Sequence, residues 1–386
     1  MKTYKKLALD LYESGIKNKT EIMRKVAMEL NIEESTALRL KISRYLNKNL
    51  NKGIFDECEK VGIDPELVKH YWYKGQHYSI NVRGDLNEGG NIDFDRIILD
   101  CLKDIKPVIK KPHNSKDEVF DRLIWTDVHV GMDASRGGLA LYPVEWNAEI
   151  LFSRIREMAD FVIKNKSGDT LVIDELGDFM DGWDGETTRK GHKLPQNMTN
   201  EQAFDTGLKA KLLLIGLLNE SYEYIYCNNI CEDNHAGSFG YVVNSAFKQV
   251  VDHKFTNVDV VNHQRFINHY IIGNHGFVIT HGKDSRNLKF GFKPVLDPRT
   301  SEKISQYIRH NTDLRYVENI EFSKGDSHQC LFDMCTSDEF DYFNYPAFSP
   351  SSEWVQTNFK KGRSGFVMQN ISKNTSQKIT KTYFFN

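Results

Sequence analysis

Cysteine is scarce in this sequence, with six residues in a chain of 386. The only close pairs are Cys227 with Cys231 and Cys330 with Cys335, and neither has the C-x₂-C spacing of a zinc knuckle. Both pairs stand in apolar segments that are typical of strands. We therefore expect reduced thiols packed inside the protein, as is usual in a reducing compartment.

Long hydrophobic runs are also missing. No stretch approaches the roughly 18–20 apolar residues that a membrane span requires. The first residues lead into an amphipathic, partly acidic segment instead of the apolar core of a signal peptide. No internal repeat of about 20–50 residues is present. These absences predict a protein that acts in the cytoplasm, or in the host cytoplasm if a virus encodes it, and that has no membrane partner.

Charge is unevenly distributed along the chain, whose length allows about two or three domains. The net charge at pH 7 is −2, yet residues 1–52 contain 12 Lys and Arg against 6 Asp and Glu. The remaining residues carry an excess of acidic groups. A basic segment attached to an acidic body suggests that this segment contacts a polyanion such as nucleic acid.

Residues 1–52 are predicted to form a small all-α domain. The pattern of apolar residues predicts a helix over residues 4–14, a second helix capped by Thr20, and a third, basic helix over residues 33–46. Two short helices joined by a tight turn, the second of them basic, resemble a helix-turn-helix that binds nucleic acid. A three-helix bundle with a solvated basic face explains the pattern equally well.

Residues 53–115 are interpreted as a helical and aromatic connecting segment. A helix start is expected near Pro65, aromatic and basic residues alternate over residues 71–78, and two prolines mark a linker over residues 106–115. The aromatic run could stack on unpaired bases. A packing surface between domains is the more common use of such a run.

Residues 116–386 alternate between strand-like and helix-like patterns. Apolar runs predict strands over residues 120–125, 170–173, 222–227 and 277–280, and amphipathic patterns predict helices over residues 146–164 and 201–218. Two more strands are predicted over residues 365–385. Alternating strands and helices with an antiparallel ending predict an α/β layered fold.

Short clusters of Asp, Asn and His follow these predicted strands. They are Asp127-Val128-His129, Gly177-Asp178-Phe179-Met180-Asp181, Asp233-Asn234-His235-Ala236, Thr280-His281-Gly282 and Gly325-Asp326-Ser327-His328. Ligands of α/β sheets usually bind at the carboxyl ends of strands. Oxygen and imidazole donors that converge there can bind two divalent cations, a centre suited to attack on a phosphate ester.

The order and spacing of these clusters resemble the calcineurin-like metallophosphoesterase superfamily, whose pattern is D-x-H, G-D-x-x-D, G-N-H-D/E, a later His and G-H-x-H. The resemblance covers residues 116–386 and implies a four-layer core of two β-sheets flanked by helices. It also implies two divalent metal ions. The residues that it assigns to one ion are Asp127, His129 and His328, those that it assigns to the other are Asn234 and His281, and Asp178 would bridge both.

The resemblance further implies that His235 stays off the metals and stabilises the transition state or protonates the leaving oxygen. Two positions depart from the family's pattern. Ala236 replaces an acid, so we expect His235 to lack an orienting partner. Asp326 replaces a histidine and can still bind metal through oxygen, which favours Mn²⁺ or Mg²⁺, with iron or Zn²⁺ as alternatives. Such variants resemble bacteriophage-encoded members, which suggests a phage origin.

Asp181 is expected to order its loop or to contact a ligand residue instead of binding metal. The Gly-rich loop that follows it, residues 182–193, is expected to overhang the metals. Arg189, Lys190 and His192 are candidates to bind a second phosphate or a nucleic-acid backbone, with a solvated loop as an equal alternative. Lys283 and Arg286 are further candidates of this kind.

The favoured function is therefore a metal-dependent phosphodiesterase, a DNA or RNA nuclease in which the basic segment binds the substrate. A nucleotide or phosphomonoester phosphatase of the same superfamily is the alternative within enzymes. A non-enzymatic DNA-binding or virion-associated protein with a vestigial metal site is the alternative outside them. The near-complete set of ligands argues against the last interpretation.

Overall fold

The computed structural model of the chain has two compact units, Met1–Asn91 and Ile92–Asn386. The residues whose structure is described are 4–16, 18–30, 32, 38–39, 41–42, 45–46, 70–74, 79–83, 94–105, 107–108, 118–189, 191–282, 293–359 and 361–386. None of the helices in these ranges combines the length and hydropathy needed to cross a lipid bilayer.

The first unit begins with two helices, α1 (Tyr4–Glu13) and α2 (Lys19–Leu30), and α1 confirms the helix predicted over residues 4–14. The side-chain oxygen of Asn18 accepts hydrogen bonds from the backbone amides of Thr20 at 3.0 Å and Glu21 at 3.3 Å. The prediction that Thr20 caps α2 is therefore wrong. Asn18 stands just ahead of the helix, and Asn is a better N-cap than Thr.

The apolar faces of α1 and α2 form a small core. Its buried members are Leu7, Ala8, Ile22, Met23, Val26 and Ala27, together with Leu38, Ile42 and Leu46. The last three are four residues apart, a spacing that lies on one face of a helix. Most of the segment predicted as the third helix lies outside the described residues, so the helix-turn-helix resemblance stays a prediction.

A β-hairpin follows in the first unit. Strands β1 (His70–Lys74) and β2 (Ser79–Arg83) pair antiparallel, with Tyr71 opposite Val82 and Tyr73 opposite Ile80. The aromatic run over residues 71–78 therefore begins on a strand, so this part of the connecting segment is not helical. The expected helix start near Pro65 lies outside the described residues.

The second unit is an α/β structure. In chain order its elements are α3 (Phe94–Asp104), β3 (Val119–Trp125), α4 (Ala148–Lys164), β4 (Thr170–Glu175), α5 (Asn200–Asn219), β5 (Tyr224–Ile230), α6 (Ser238–Lys254), β6 (Val258–His263), β7 (Ile267–Ile272), β8 (His275–Thr280), α7 (Pro298–His310), a 3₁₀ turn (Leu314–Tyr316), β9 (Asn319–Lys324), β10 (Leu331–Asp333), β11 (Asp341–Asn344), α8 (Glu353–Asn358), β12 (Gly365–Ser372) and β13 (Lys378–Phe384). The strands and helices predicted after residue 116 are confirmed, with bounds that differ by a few residues.

These strands form two mixed sheets. Sheet one has the order β13-β12-β3-β4-β5-β6, and sheet two has the order β10-β11-β9-β8-β7. In sheet one β3 to β6 run parallel, whereas β12 and β13 are antiparallel to their neighbours. In sheet two β8, β9 and β11 run parallel, and the edge strands β7 and β10 are antiparallel. The prediction of an α/β fold is confirmed.

The central strands of sheet one are buried. All six residues of β4 are buried, as are six of the seven residues of β3, as expected for parallel strands in the middle of a sheet. The main core joins sheet one to helices α4, α5 and α6 through residues such as Leu123, Ile155 and Leu208. A second core joins Phe322 of β9 to Ile304 of α7.

Side chains of the two sheets also contact each other. Phe120 of β3 meets Phe277 of β8 with ring centroids 6.1 Å apart. The buried guanidinium of Arg122 donates to Asp174 of sheet one at 2.6 Å and to Glu321 of sheet two at 2.5 Å. One cation therefore links the two sheets through a carboxylate of each.

The cysteines follow the sequence prediction only in part. Those that the structure describes are free thiols, and Cys101, Cys227 and Cys231 are buried. Cys330 and Cys335 are exposed, so the prediction that this pair is packed is wrong. The two residues flank the short edge strand β10, whose residues are only half-buried.

Candidate metal centre

The five polar clusters all follow strands of the two sheets. Asp127 and His129 follow β3, Asp178 follows β4, Asn234 and His235 follow β5, His281 follows β8, and Asp326 and His328 follow β9. The carboxyl ends of parallel strands meet at one edge of a sheet, which brings their loops together. Residues from both sheets thus build the centre.

Unusual backbone conformations accompany this convergence. Asp127, His129, Asp178, Asp326 and His328 all have positive φ angles, between 49° and 64°. Residues other than glycine rarely adopt this left-handed conformation, and each instance costs about 1–3 kcal/mol. Five instances at one site indicate that the fold holds these side chains in place at some expense of stability.

Asp127, His129 and His328 form one group of potential metal ligands. The Nε2 atom of His328 lies 3.3 Å from Oδ1 of Asp127 and 3.2 Å from Nε2 of His129. All three side chains are buried. Ligands that each lie about 2.0–2.2 Å from a cation are roughly 3–4 Å from one another. The separations in this group are therefore those of atoms that share one ion.

Asp178, His281 and Asp127 form a second group. The Nε2 atom of His281 lies 3.0 Å from Oδ2 of Asp178 and 3.5 Å from Oδ1 of Asp326. The Nδ1 atom of His281 contacts the carbonyl oxygen of Leu176 at 3.0 Å. That contact fixes the ring and leaves Nε2 directed at the carboxylates, as in many histidines that bind metal.

Asp178, a member of the second group, also approaches His129 of the first. Besides His281, its Oδ2 atom has Nε2 of His235 at 3.7 Å and Nε2 of His129 at 4.0 Å. Gly177, the residue before Asp178, allows this position. A Cβ atom on Gly177 would lie 3.0 Å from the side chain of His281. The close approach of these two loops therefore requires glycine.

Asp233, which stands where the family pattern has glycine, organises the loop of the third cluster. Its Oδ1 atom accepts hydrogen bonds from the backbone amides of His235 at 3.1 Å, Ala236 at 2.9 Å and Gly237 at 3.1 Å. Its Oδ2 atom accepts one from the amide of Asp178 at 3.2 Å. A single carboxylate thus ties the second cluster to the third.

Asp181 contacts two histidines at once. Its Oδ1 atom lies 2.9 Å from Nδ1 of His129 and 3.1 Å from Nδ1 of His235. The expectation that His235 lacks an orienting acid because of Ala236 is therefore wrong. The acid comes from a different cluster, and it turns the Nε2 atoms of both rings away from itself.

Several buried oxygen atoms of the centre have no hydrogen-bond partner among the described residues. They include Oδ1 of Asp127, Oδ1 of Asn234 and Oδ2 of Asp326. An unsatisfied buried polar atom costs about 1–3 kcal/mol, so such atoms are rare without a ligand. Carboxylate, amide and imidazole donors suit divalent cations such as Mn²⁺. The residues therefore fit a metal centre.

The electrostatics of the centre favour positive charge. Burial alone would raise the pKa of Asp178, but His235 and His281 hold the pKa of this carboxyl well below its usual value. Burial opposes protonation of His235, yet Asp178 and Asp181 raise the pKa of this imidazole to about 9. Burial and the neighbouring Asp178 raise the pKa of Asp233 to about 7. The carboxylates thus attract cations into a buried site.

The candidate phosphate-binding residues lie on a loop that reaches the centre. The amide of Thr188 donates to the carbonyl oxygen of His235 at 2.8 Å. Next to it Arg189 is half-buried, and His192 is exposed. Lys190 lies outside the described residues, as do Lys283 and Arg286. The loop is therefore attached to the third cluster, and its position over the metals stays a prediction.

Lys211 is linked to the second cluster through Glu175, a connection that the sequence did not reveal. This buried lysine of α5 donates to Glu175 at 2.9 Å and to Asn229 at 3.0 Å. Glu175 in turn accepts a hydrogen bond from the amide of Gly177 at 2.7 Å. The sequence feature that could have indicated this buried lysine is its position within the apolar run of α5.

None of the models of known protein families matches this sequence, and no similar protein is found among curated ones. The fold has two mixed sheets, and it contains groups of Asp and His residues. Within each group the donor atoms lie within 4.8 Å of one another. These groups can hold metal ions, and this arrangement is compatible with a metallophosphoesterase and with a metal-dependent enzyme.

Proposed function

We propose that the chain is a metal-dependent phosphodiesterase that hydrolyses DNA or RNA and has the four-layer core of the calcineurin-like metallophosphoesterases. The observation that supports this function is the convergence of five clusters from two sheets on buried carboxylate, amide and imidazole donors. When bound, two divalent cations would offset the negative charge of the phosphodiester and lower the pKa of a water molecule.

The proposed ligands are members of the two groups together with Asn234 and Asp326. Those of one ion are Asp127, His129 and His328, those of the other are Asn234 and His281, Asp178 is shared, and Asp326 adds an oxygen donor beside His281. Three carboxylates make the centre rich in hard oxygen donors, which favours Mn²⁺ or Mg²⁺. Iron and Zn²⁺ are the alternatives that the imidazoles allow.

His235 is the proposed proton donor to the leaving oxygen. Its side chain is 20% exposed, whereas those of His129 and His281 are 2% and 1% exposed, so His235 is the one of these three that a substrate can reach. Asp181 holds Nδ1 of His235 and leaves Nε2 to carry the transferred proton. Arg189 and His192, on the attached loop, are proposed to contact a phosphate of the substrate.

Substrate and metal can be tested together. Purified protein with Mn²⁺ is assayed on bis-(p-nitrophenyl) phosphate, p-nitrophenyl phosphate, and single- and double-stranded DNA and RNA. We expect cleavage of the diester and of at least one nucleic acid. Asp178→Asn should weaken Mn²⁺ binding and abolish cleavage, because the shared ligand loses its charge. Asp205→Asn, which alters an exposed ion pair with Lys209, is the matched control and should change neither.

The same assay separates the alternatives. Activity on p-nitrophenyl phosphate without activity on diesters would identify a phosphomonoester or nucleotide phosphatase. Mn²⁺ binding without hydrolysis of any of these substrates would contradict an enzymatic function and favour a DNA-binding protein with a vestigial site.

A further inference from the structure

A cleft of about 660 Å³ lies in the second unit between a face of sheet one and the edge strand β7 of sheet two. The face of β5 and β6 forms one wall, and the edge strand β7 forms the other. Its lining includes Tyr224, Tyr226, Asn228, Val261, His263 and Asn268. The lining residues within the described part of the chain include none of the metal-centre residues. The volume lies in the range of about 300–1,000 Å³ that is typical of small-molecule sites.

The cleft exposes apolar side chains that would ordinarily be covered. Tyr226 is 42% exposed, Val261 is 44% exposed and Ile271 is 37% exposed, although all three lie on strands. They come from three adjacent elements, β5, β6 and β7. Water contact with this surface is unfavourable, so a ligand that covers it gains affinity.

Aromatic rings dominate one wall of the cleft. Tyr224 and Tyr226 are two residues apart on β5 and therefore lie on the same face of sheet one. Their ring centroids are 4.6 Å apart. The hydroxyl of Tyr224 donates to Asp259 on β6, which holds that ring in place. Fixed tyrosine rings at a partly open surface are suited to stacking on planar heteroaromatic rings.

Amide and imidazole groups stand beside the tyrosines. The Nε2 atom of His263 lies 3.3 Å from Oδ1 of Asn228 and 3.3 Å from Nδ2 of Asn268. The amide of Asn228 is oriented by a 3.0 Å hydrogen bond that its nitrogen donates to Asp174. Burial lowers the pKa of His263, which keeps this imidazole neutral near pH 7. Neutral donors and acceptors of this kind match the edge of a nucleobase.

Charged groups of both signs lie at or next to the cleft. Asp174 and Asp259 accept hydrogen bonds from the lining residues Asn228 and Tyr224, but Asp174 is buried and paired with Arg122. The lining itself includes the cation Lys373. The lining groups that match the edge of a base are therefore the neutral amide and imidazole groups of Asn228, His263 and Asn268.

We propose that this cleft binds a nucleobase, either in a free nucleoside or as an unpaired base of a nucleic-acid strand. This site is separate from the metal centre and does not depend on hydrolysis there. The backbone nevertheless connects one end of the cleft to the loop of the third cluster. His263 ends β6, and its carbonyl oxygen accepts a hydrogen bond from the amide of Cys231, two residues before the loop of the third cluster.

The test is isothermal titration calorimetry of the full chain in EDTA, which prevents cleavage, with the four nucleosides and with short single-stranded oligonucleotides. Tyr226→Ala should reduce the affinity about 5- to 150-fold, the range for loss of one stacked base. Tyr226→Phe keeps the ring and should bind as the natural chain does. Tyr316→Ala, at an 84% exposed residue outside the cleft, is the control for nonspecific loss of a tyrosine.

The two sources of the base give different outcomes. Saturable binding of nucleosides that Tyr226→Ala weakens identifies a free nucleoside site. Binding of oligonucleotides but not of nucleosides identifies an unpaired base of a strand, provided that Tyr226→Ala weakens this binding and Tyr226→Phe retains it. The proposal is overturned if no nucleoside binds and the oligonucleotide affinity is the same for Tyr226→Ala as for the natural chain. None of these outcomes bears on the proposed hydrolysis, which the cleavage assay with Mn²⁺ tests separately.

Discussion

At the scale of the residue, the metal centre depends on glycine where two loops approach. Gly177 has a φ angle of 98°, and a Cβ atom there would lie 3.0 Å from His281. Gly177→Ala should therefore lower the free energy of unfolding by about 1–3 kcal/mol and weaken Mn²⁺ binding, because His281 must shift. Chemical denaturation and metal titration measure the two effects.

The matched control is Gly216→Ala on α5, where a Cβ atom meets nothing within 4 Å. There the change should stabilise the protein by about 0.5–1 kcal/mol, because alanine is the better helix former. Equal effects of the two substitutions would contradict the argument from the close approach.

Asp181 carries a second prediction at this scale, since one of its oxygens orients His129 and His235 together. Asp181→Asn should reduce turnover about 10- to 100-fold, the usual effect of removing such a partner. The lost negative charge should also lower the pKa of His235. If His235 donates a proton, activity falls as pH rises through that pKa, so the alkaline limb of the pH profile should move to lower pH in the variant.

The measurement is a profile of kcat and kcat/KM against pH, at saturating Mn²⁺, for both proteins. Asp184→Asn changes another acid of the same loop, one that is bonded to Asn200 instead of a histidine, and should leave the profile in place. An unmoved alkaline limb in Asp181→Asn would argue against His235 as the proton donor.

At the scale of the secondary-structure element, the two sheets are joined by buried ions. Burial would raise the pKa of Glu321, but Lys378 and Arg122 hold it well below its ordinary value of 4.5. The ionised carboxylate therefore contributes stability above pH 4.5, and that contribution is lost as the pH falls below this value. Glu321→Gln should cost about 3–5 kcal/mol at pH 7, because it leaves buried cations unpaired.

Unfolding free energies measured between pH 7 and acid conditions test this argument. The difference between Glu321→Gln and the natural chain should shrink as the pH falls. Glu302→Gln alters an exposed pair with Arg309 and should have little effect at any pH. A difference that stays constant with pH would mean that packing, and not charge, accounts for the cost of Glu321→Gln.

The sequence predicts elements that have a strong hydrophobic pattern. It does not predict contacts between residues that come close only in the folded chain. The buried runs at β3 and β4 predicted strands, and polar residues just after them predicted loops that converge at one edge. The contacts of Asp233 and Asp181 could not be predicted, because they join loops that are far apart in the sequence. The half-exposed strands β7 and β10 have no clear period, so neither the cleft beside β7 nor the exposure of Cys330 was foreseen.

At the scale of the whole molecule, the basic segment over residues 1–52 predicts salt-dependent binding of DNA. Deletion of these residues should weaken binding and reduce the slope of log affinity against log salt concentration, because fewer phosphate contacts release counterions. In the full chain, Arg39→Glu with Lys41→Glu should have the same direction of effect, since both side chains are exposed. Filter binding or fluorescence anisotropy at several salt concentrations provides the measurement.

The control is Lys248→Glu on α6, an exposed basic residue of the second unit that pairs with Asp252. It should leave the salt dependence nearly unchanged. If the deleted protein binds DNA with the same affinity and slope, the helices of residues 1–52 serve folding or assembly instead.

The two groups of donors draw on both sheets, and the contact between His129 and His328 joins positions 199 residues apart in the chain. Neither half of the second unit can therefore assemble the centre alone, and a proteolytic cut that separates the halves should release bound metal. An ion held there acts as a cross-link that only the complete fold can make, and it favours that fold by mass action. Metal retention is thus a direct reporter of intact tertiary structure, and chelation should lower Tm.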